Sequence, residues 1–145
     1  MAKIKQIFLL FYLFTSLTSN TQTLKLGSEK TQEYIPLLIN KSVGIVANQT
    51  SLIKKTHLVD SLISYGINIS TIFSPEHGFK GNIDAGKYIN NEIDKQTNIS
   101  IISLYGKKKK PSKAELKKID IIVFDIQDVG ARFYTYLSTL HYVME

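Results

Sequence analysis

The chain has 145 residues, of which 43% are hydrophobic and 21% charged, and it contains no cysteine. This composition fits one modest globular domain and excludes a disordered chain, a collagen and a disulfide-stabilised scaffold. The net charge is +6, but Lys3 and Lys5 belong to the N-terminal segment and four further lysines form one run, Lys107 to Lys110. The basic excess is therefore local and predicts no nucleic-acid partner. Of the 18 cationic residues only Arg132 is an arginine.

The first twenty residues have the pattern of a secretion signal. Lys3 and Lys5 precede the apolar stretch Ile7 to Leu17, and small polar residues follow it. This stretch is shorter than the roughly 20 residues that a membrane-spanning helix needs. We therefore predict a signal peptide over residues 1–20, a lead-in over residues 21–40, and an exported protein, periplasmic or extracellular, that meets a membrane only through its signal segment. A buried N-terminal helix or an uncleaved anchor is the alternative.

Strand-like and helix-like segments alternate from residue 42 to the end. Runs rich in β-branched residues predict four strands, at Ser42 to Ala47, Asn68 to Phe73, Asn98 to Leu104 and Ile119 to Asp125. Helices are predicted at His57 to Tyr65 with Thr56 as N-cap, after the Ser112-x-x-Glu115 capping box as far as Lys118, and at Phe133 to Glu145. This alternation predicts an α/β fold over residues 41–145, a Rossmann-like, open and mainly parallel sheet with flanking helices. The last strand is nearly all apolar, so we expect both of its faces to be buried.

Polar side chains follow each predicted strand. Ligands of open α/β sheets bind beyond the carboxyl ends of the strands, where loops and helix starts meet. The residues at these ends are Asn48 and Gln49, Glu76 and His77, Tyr105, and the group Asp125, Gln127, Asp128 and Arg132. We expect all of them to line one edge of the sheet.

Glu76 and the acidic residues after the last strand are candidates for chemistry. Glu76 lies in a Pro-Glu-His-Gly turn, and a carboxylate there can act as general acid or base if partial burial raises its pKa toward neutrality. A carboxylate that caps a neighbouring amide is the alternative. Asp125 ends a buried strand and needs a partner, so we predict that Asp125 or Asp128 pairs with Arg132, either to lock the turn or to bind a ligand.

Other motifs predict less. His77 is a candidate proton shuttle or metal ligand, but no second histidine or cysteine stands at ligand spacing, so zinc is not predicted. A hard cation held by Glu76, Asp125 and Asp128 is the alternative. Glycine-rich nucleotide motifs and a serine-hydrolase elbow are absent from the sequence. The sequence therefore predicts neither a metal nor another cofactor.

Two groups of residues have both a structural and a functional interpretation. Tyr134 and Tyr136 either pack in the core or rim, or stack on a sugar ring. The lysine run is expected to be a solvated loop, and attraction to anionic wall polymers is the alternative.

The order and spacing of four motifs resemble those of the NamZ-type exo-β-N-acetylmuramidases. The motifs are Val46-Ala-Asn-Gln-Thr50, Phe73-Ser-Pro-Glu-His-Gly-Phe-Lys-Gly81 with Ala85-Gly86 after it, Ser103-Leu-Tyr-Gly106, and Phe124-Asp-Ile-Gln-Asp-Val-Gly-Ala-Arg-Phe-Tyr-Thr-Tyr136. The resemblance covers residues from about 40 to 145. It implies a Rossmann-like N-terminal domain followed by a second domain, with the active site in the cleft between them. Because the chain stops within a predicted helix, we expect it to be truncated before that second domain.

The resemblance also implies a glycosidase that removes N-acetylmuramic acid from the non-reducing ends of peptidoglycan fragments, in wall turnover or recycling. Glu76 is then the expected acid/base, and the second carboxyl group that glycoside cleavage needs is Asp125, Asp128 or a residue of the missing domain. The matching positions predict Glu76, His77 and Asp128 as catalytic residues, and Asn48, Gln49, Tyr105, Asp125, Gln127, Arg132 and Tyr134 as residues that bind muramic acid saccharides. We hypothesise that Arg132 binds the lactyl carboxylate. A non-catalytic wall-sugar binding module or an inactive fragment is the alternative.

Overall fold

The computed structural model describes residues 24–84, 86, 87 and 90–145, so the predicted signal peptide lies outside the described residues. A 3-10 turn at Gly27–Glu29 comes first. The helices of the described residues are α1 (Thr31–Leu38), α2 (Leu58–Ser64), α3 (Lys113–Leu116) and α4 (Tyr136–Met144). The strands are β1 (Ser42–Ala47), β2 (Leu52–Ile53), β3 (Thr56–His57), β4 (Asn68–Ser74), β5 (Glu92–Ile93), β6 (Ser100–Ser103) and β7 (Ile121–Asp125).

A five-stranded sheet with the strand order β5-β6-β4-β1-β7 forms the centre of the fold. Strands β6, β4, β1 and β7 are parallel, and only the short edge strand β5 is antiparallel. Ile45 in the middle of β1 is level with Ile72 of β4 and Val123 of β7. The predicted α/β fold, a mainly parallel sheet with flanking helices, is confirmed. The carboxyl ends of four strands meet at one edge, where the candidate residues follow.

The two faces of the sheet carry unequal apolar layers. Helices α1 and α2 cover the first face with Leu38, Leu58, Val59 and Leu62, which pack on Ile45 and its neighbours in a cluster of twelve buried residues. Helices α3 and α4 cover the second face, where four residues are buried and Leu116 and Val143 are only partly buried. The first face is therefore a closed core, whereas the second is thinly covered.

Helix α1 lies in the predicted lead-in, where the sequence analysis places no helix. Its residues Tyr34, Ile35 and Leu38 pack against the first core cluster, and Pro36 lies inside the helix without preventing it. The run of apolar positions at helical spacing is short and contains a proline, so the sequence gives only a weak helix pattern here. Packing on the sheet supplies the stability that local propensity does not.

The predicted start of α2 was wrong by one residue. Thr56 and His57 pair with Leu52 and Ile53 in a small antiparallel hairpin, so Thr56 is a strand residue and not a cap. His57 is the N-cap instead, because its Nδ1 accepts a hydrogen bond of 3.2 Å from the backbone N–H of Val59. The capping box of α3, by contrast, is confirmed, with Ser112 and Glu115 bonded reciprocally.

The expectation that the last strand is buried on both faces was also wrong. All five residues of β7 are half-buried. The strand lies at the edge of the sheet with β1 as its one neighbour among the described strands, and the second face beside it is thinly covered. Helix α4 begins at Tyr136 and not at Phe133. It is the longest helix of the described residues, with nine residues, and none of these helices is long and apolar enough to cross a membrane.

Candidate active site

Glu76 stands on a tight turn directly after β4. The backbone N–H of Gly78 donates to the carbonyl of Pro75 across the turn, at 3.1 Å. His77 has the left-handed φ of 72°, a conformation that is unfavourable for a residue with a Cβ. Its ring is tied to the same loop because Nδ1–H donates to the carbonyl of Ile83 at 3.0 Å. The turn therefore holds Glu76 in a fixed position at the edge of the sheet.

Hydrogen-bond donors surround the Glu76 carboxylate. The Thr135 hydroxyl, one residue before α4, donates to Oε2 at 2.9 Å. Burial raises the pKa of Glu76, but hydrogen bonds from Tyr105, Thr135 and the backbone N–H of Gly86, with the charge of a protonated His77, outweigh it and hold the pKa below its ordinary value. The condition that partial burial raises the pKa of Glu76 toward neutrality is therefore not met. Partial burial is present, yet the donors stabilise the anion more than burial destabilises it.

Two tyrosines lie close to this carboxylate. The hydrogen bond to Glu76 raises the pKa of Tyr105, so the phenol stays protonated and donates. Tyr136 is 7% exposed. Burial raises its pKa, the neighbouring Asn48 amide opposes that rise, and the charge of Glu76 adds to it. Of the two interpretations for Tyr136, the structure supports packing, at a position next to the site.

Asn48 is fully buried and shapes the loop after β1. Its Oδ1 accepts from the N–H and the hydroxyl of Thr50, at 2.9 and 2.7 Å, and its carbonyl accepts from Nε2 of His57 at 2.9 Å. The Ser51 hydroxyl accepts from the N–H of Asn48 and donates to the carbonyl of Asp125. Nδ2 of Asn48 has no hydrogen-bond partner among the described residues. The Oδ1 atom and the backbone of Asn48 are thus fully engaged, while both N–H groups of Nδ2 are left without a partner in the part of the chain that the structure describes.

Asp125 faces a different cavity, on the side of α1 and α2. This cavity has a volume of about 550 Å³ and is lined by the 3-10 turn, Tyr34, Leu58 and the end of β7. Burial raises the pKa of Asp125, and the nearby His57 opposes the rise. Within the described part of the chain, no cation lies within 4.0 Å of the Asp125 carboxylate.

The predicted ion pair of Arg132 with Asp125 or Asp128 was therefore wrong. Oδ1 of Asp128 accepts from the N–H of Gly130 at 2.6 Å and closes a local turn. That turn carries Arg132 into an exposed stretch, while Asp125 points to the first face of the sheet. A backbone hydrogen bond across the turn replaces the expected pairing.

The remaining predicted residues lie further from Glu76. Gln127 and Tyr134 are exposed, and the Tyr134 ring lies 6.2 Å from that of Tyr136. Gln49 packs against Gly81, whose left-handed φ of 66° and lack of a Cβ make room for it. The structure thus brings Glu76, His77, Tyr105 and Asn48 together, and it leaves Asp125, Asp128, Gln127, Gln49 and Arg132 outside that cluster.

A cavity of about 370 Å³ lies beside the two hydroxyl groups that donate to Glu76. It shares Tyr105 and Thr135 with the surroundings of the carboxylate. The residues that line it are Leu104, Tyr105, Gly106, Lys109, Thr135, Ser138, Thr139 and Tyr142. Those from the last helical segment, at positions 135, 138, 139 and 142, were missed in the sequence, although their spacing marks one face of a helix. This polar stripe on a predicted helix is the pattern that identifies them.

The described residues contain no group of three histidine or acidic side chains that could hold a metal ion. Glu76 accepts a hydrogen bond from Thr135, Asp125 lines the cavity beside α1, and Asp128 closes its own turn. These three carboxylates therefore do not form the hard-cation site that the sequence left open as an alternative.

Comparison with known proteins identifies the family. The model of the family described as "Exo-beta-N-acetylmuramidase NamZ, N-terminal" matches residues 43–145. The peptidoglycan beta-N-acetylmuramidase NamZ of Bacillus subtilis (strain 168) is 43% identical over 117 residues, which cover 78% of this chain and 28% of the relative.

Two crystal structures of DUF1343 family proteins from Bacteroides fragilis NCTC 9343 match the fold with a TM-score of 0.68 each. The first is 44% identical and the second 34% identical, and the matches cover 81% and 79% of this chain. The chain spans 28–30% of the length of these relatives. It belongs to the NamZ family of exo-β-N-acetylmuramidases, of which it matches the N-terminal part.

Proposed function

We propose that this chain carries the catalytic carboxylate of an exported glycosidase that removes N-acetylmuramic acid from the non-reducing ends of peptidoglycan fragments during wall turnover or recycling. The observation that carries the proposal is Glu76, which is fixed on a strained turn and surrounded by donors, two of which, Tyr105 and Thr135, also line a cavity of about 370 Å³. Membership of the NamZ family supplies the class of substrate. The signal-like pattern of residues 1–20 supports export.

The environment of Glu76 favours an ionised role. A carboxylate whose pKa is lowered is a poor proton donor at neutral pH, but it can activate water or attack the anomeric carbon. We therefore assign Glu76 the part of the base or nucleophile in glycoside cleavage. The Tyr105 and Thr135 hydroxyls hold the carboxylate in place for that step.

Glycoside cleavage also needs a group that protonates the leaving oxygen. Asp125 retains its proton to higher pH than usual, but it lines the cavity on the other face of the sheet. Asp128 is exposed and engaged in its own turn. We therefore place the proton donor in the part of the relatives that this chain does not cover. His77, with Nδ1 already bonded, is left to orient the turn through its anchored ring.

The test is hydrolysis by the chain of a chromogenic N-acetylmuramic acid glycoside whose leaving group is a stable phenolate, so that cleavage does not depend on the proton donor. Glu76→Gln keeps the shape of the side chain and removes its charge, so we expect the rate to fall by roughly 10²-fold or more. Glu92→Gln is the matched control, because Glu92 is exposed on the edge strand β5, and it should hydrolyse at the rate of the unchanged chain. Equal rates for both variants would contradict the assignment. Saturable binding of the glycoside without turnover would contradict catalysis by this chain and favour the wall-sugar binding module.

A further inference from the structure

The lysine run Lys107 to Lys110 is not uniformly solvated. Nζ of Lys108 bonds to Glu115 in the capping box of α3, and Nζ of Lys110 lies 2.9 Å from Oε2 of Glu145. These two ion pairs hold the run between α3 and the end of α4. Lys109, which stands between them, lines the cavity beside Glu76.

Lys109 gives this cavity its charge. The other lining residues contribute two phenols, three hydroxyls and apolar or glycine surface, and none of them is a carboxylate. A cavity that combines aromatic rings, hydroxyl groups and one cation suits a sugar that carries an acidic substituent. Its volume of about 370 Å³ is at the lower end of the range of about 300–1,000 Å³ for ligand pockets, the size for one small ligand.

We infer that Lys109 recognises the lactyl carboxylate of a single N-acetylmuramic acid residue bound in this cavity, and so distinguishes it from N-acetylglucosamine. The inference rests on the proposed function, because the cavity shares Tyr105 and Thr135 with Glu76, the proposed catalytic carboxylate. It transfers to Lys109 the part that the sequence analysis gave to Arg132. Arg132 is exposed and does not line this cavity.

The two ion pairs explain why Lys109 is suited to this part. The neighbours Lys108 and Lys110 each pair with a carboxylate, of Glu115 and Glu145 respectively. Lys109 itself contacts no carboxylate within 4.0 Å among the described residues. Its ammonium group is therefore available to an anionic ligand.

The experiment measures binding of three probes to the chain by NMR titration, namely N-acetylmuramic acid, its lactyl methyl ester and N-acetylglucosamine. The ester keeps the shape of the acid and removes its charge. We expect the unchanged chain to bind the acid about two- to fivefold more tightly than the ester, the size of a solvent-accessible ion pair. This preference should fall at about 1 M salt, because salt screens exposed charges.

Lys109→Gln should lose the preference for the acid while still binding the ester and N-acetylglucosamine. Lys107→Gln removes the same charge from an exposed position outside the cavity lining, so it should retain the preference. A preference that survives in Lys109→Gln, equal binding of acid and ester by the unchanged chain, or binding of neither sugar would overturn the inference.

The binding experiment and the hydrolysis experiment test separate claims, so either one can fail without the other. Glu76→Gln should lose turnover and keep the preference for the acid over the ester. If hydrolysis depends on Glu76 but the preference does not depend on Lys109, only the inference fails. If the preference depends on Lys109 but no hydrolysis depends on Glu76, the catalytic proposal fails and the binding assignment stands.

Discussion

Glu76 and Asp125 follow parallel strands at the same edge of one sheet, with only β1 between those strands, yet their surroundings shift their pKa values in opposite directions. Glu76 receives hydroxyl and backbone donors, which outweigh its burial. Asp125 is buried with little compensation from its neighbours. Position at the carboxyl edge therefore does not decide the direction in which the pKa of a carboxylate shifts. The elements that pack over it decide whether burial is compensated.

The packing behind the two carboxylates differs as well. Behind Asp125 lies the closed core of α1 and α2, with twelve buried residues. Beside Glu76, α4 packs on a second face with four buried residues, and Val143 there is only partly buried. The first face has the closed core, but among the described residues it supplies no hydrogen-bond donor to the Asp125 carboxylate. The second face supplies donors to Glu76 but is thinly packed. A site for ligands and a core for stability thus occupy opposite faces of one sheet.

The largest expected effect tests this difference in packing. Leu62 on α2 is 0% exposed, so Leu62→Ala should lower the free energy of unfolding by about 2–5 kcal/mol through lost burial and a cavity. Val143→Ala on α4 removes fewer atoms from a half-buried position and should cost under about 1.5 kcal/mol. Urea denaturation followed by circular dichroism measures both. Equal losses would show that the two faces contribute alike.

A smaller effect is expected at the Glu76 carboxylate. Thr135→Val keeps the shape of the side chain and removes the hydroxyl that donates to Oε2, so the pKa of Glu76 should rise and stability at pH 7 should fall by about 1 kcal/mol. A carboxylate with a lowered pKa contributes stability above its unfolded pKa, and this stability is lost as the pH falls through the folded value. The difference between the variant and the unchanged chain should therefore shrink toward about pH 3.

NMR titration of Glu76 and denaturation at both pH values measure these changes. Thr139→Val is the matched control, because its hydroxyl donates to the carbonyl of Thr135 and not to Glu76. This control should leave the pKa of Glu76 where it is. If Glu76 has the same pKa in Thr135→Val as in the unchanged chain, the Thr135 hydroxyl does not contribute to lowering that pKa.

The smallest expected change in stability is a gain, and it comes from replacing Asp125. Burial raises the pKa of Asp125, so the folded state binds its proton more tightly than the unfolded state, and stability is lost as the pH rises through the folded value. Asp125→Asn removes that cost and should stabilise the chain at pH 7 by under about 1 kcal/mol, with no gain at about pH 3.

Thermal denaturation at the two pH values measures the gain. Asp128→Asn is the control, because Asp128 is exposed and asparagine can accept from Gly130 in the same way. Its stability should stay within about 0.5 kcal/mol of the unchanged chain. Destabilisation by Asp125→Asn at pH 7 would mean that the charge of Asp125 is compensated after all, and would remove the contrast with Glu76.

The parts of the fold that depend on local pattern could be predicted. The β-branched runs gave β1 and β4 nearly to the residue, and the capping box gave α3, because alternation and capping are short-range properties. The edge position of β7 and the packing of α1 could not be predicted in this way. Both depend on strand order and on contacts between segments distant in the chain, which no local pattern contains.

The candidate site also combines a part that local sequence predicts with a part that depends on distant segments. The Pro-Glu-His-Gly turn located Glu76, because proline, glycine and a carboxylate in sequence mark a constrained loop. The direction of its pKa shift could not be read from the turn, because the deciding donors come from Tyr105 and Thr135, 29 and 59 positions further along. Arg132 shows the converse error. Arg132 was assigned a role because it is the single arginine, yet it lies in an exposed stretch after the Asp128 turn and forms no ion pair among the described residues.

The two short side chains after β1 have a mechanical consequence for the sheet edge. Ser51 joins the N–H of Asn48 to the carbonyl of Asp125, and the Thr50 hydroxyl accepts from the N–H of Gln127 at 3.2 Å. The ends of β1 and β7 are thereby coupled through side chains beyond the point where the ladder between them stops. We therefore expect the amides of Asn48 and Gln127 to become accessible to solvent in the same local opening and to exchange their hydrogens as a single cooperative unit.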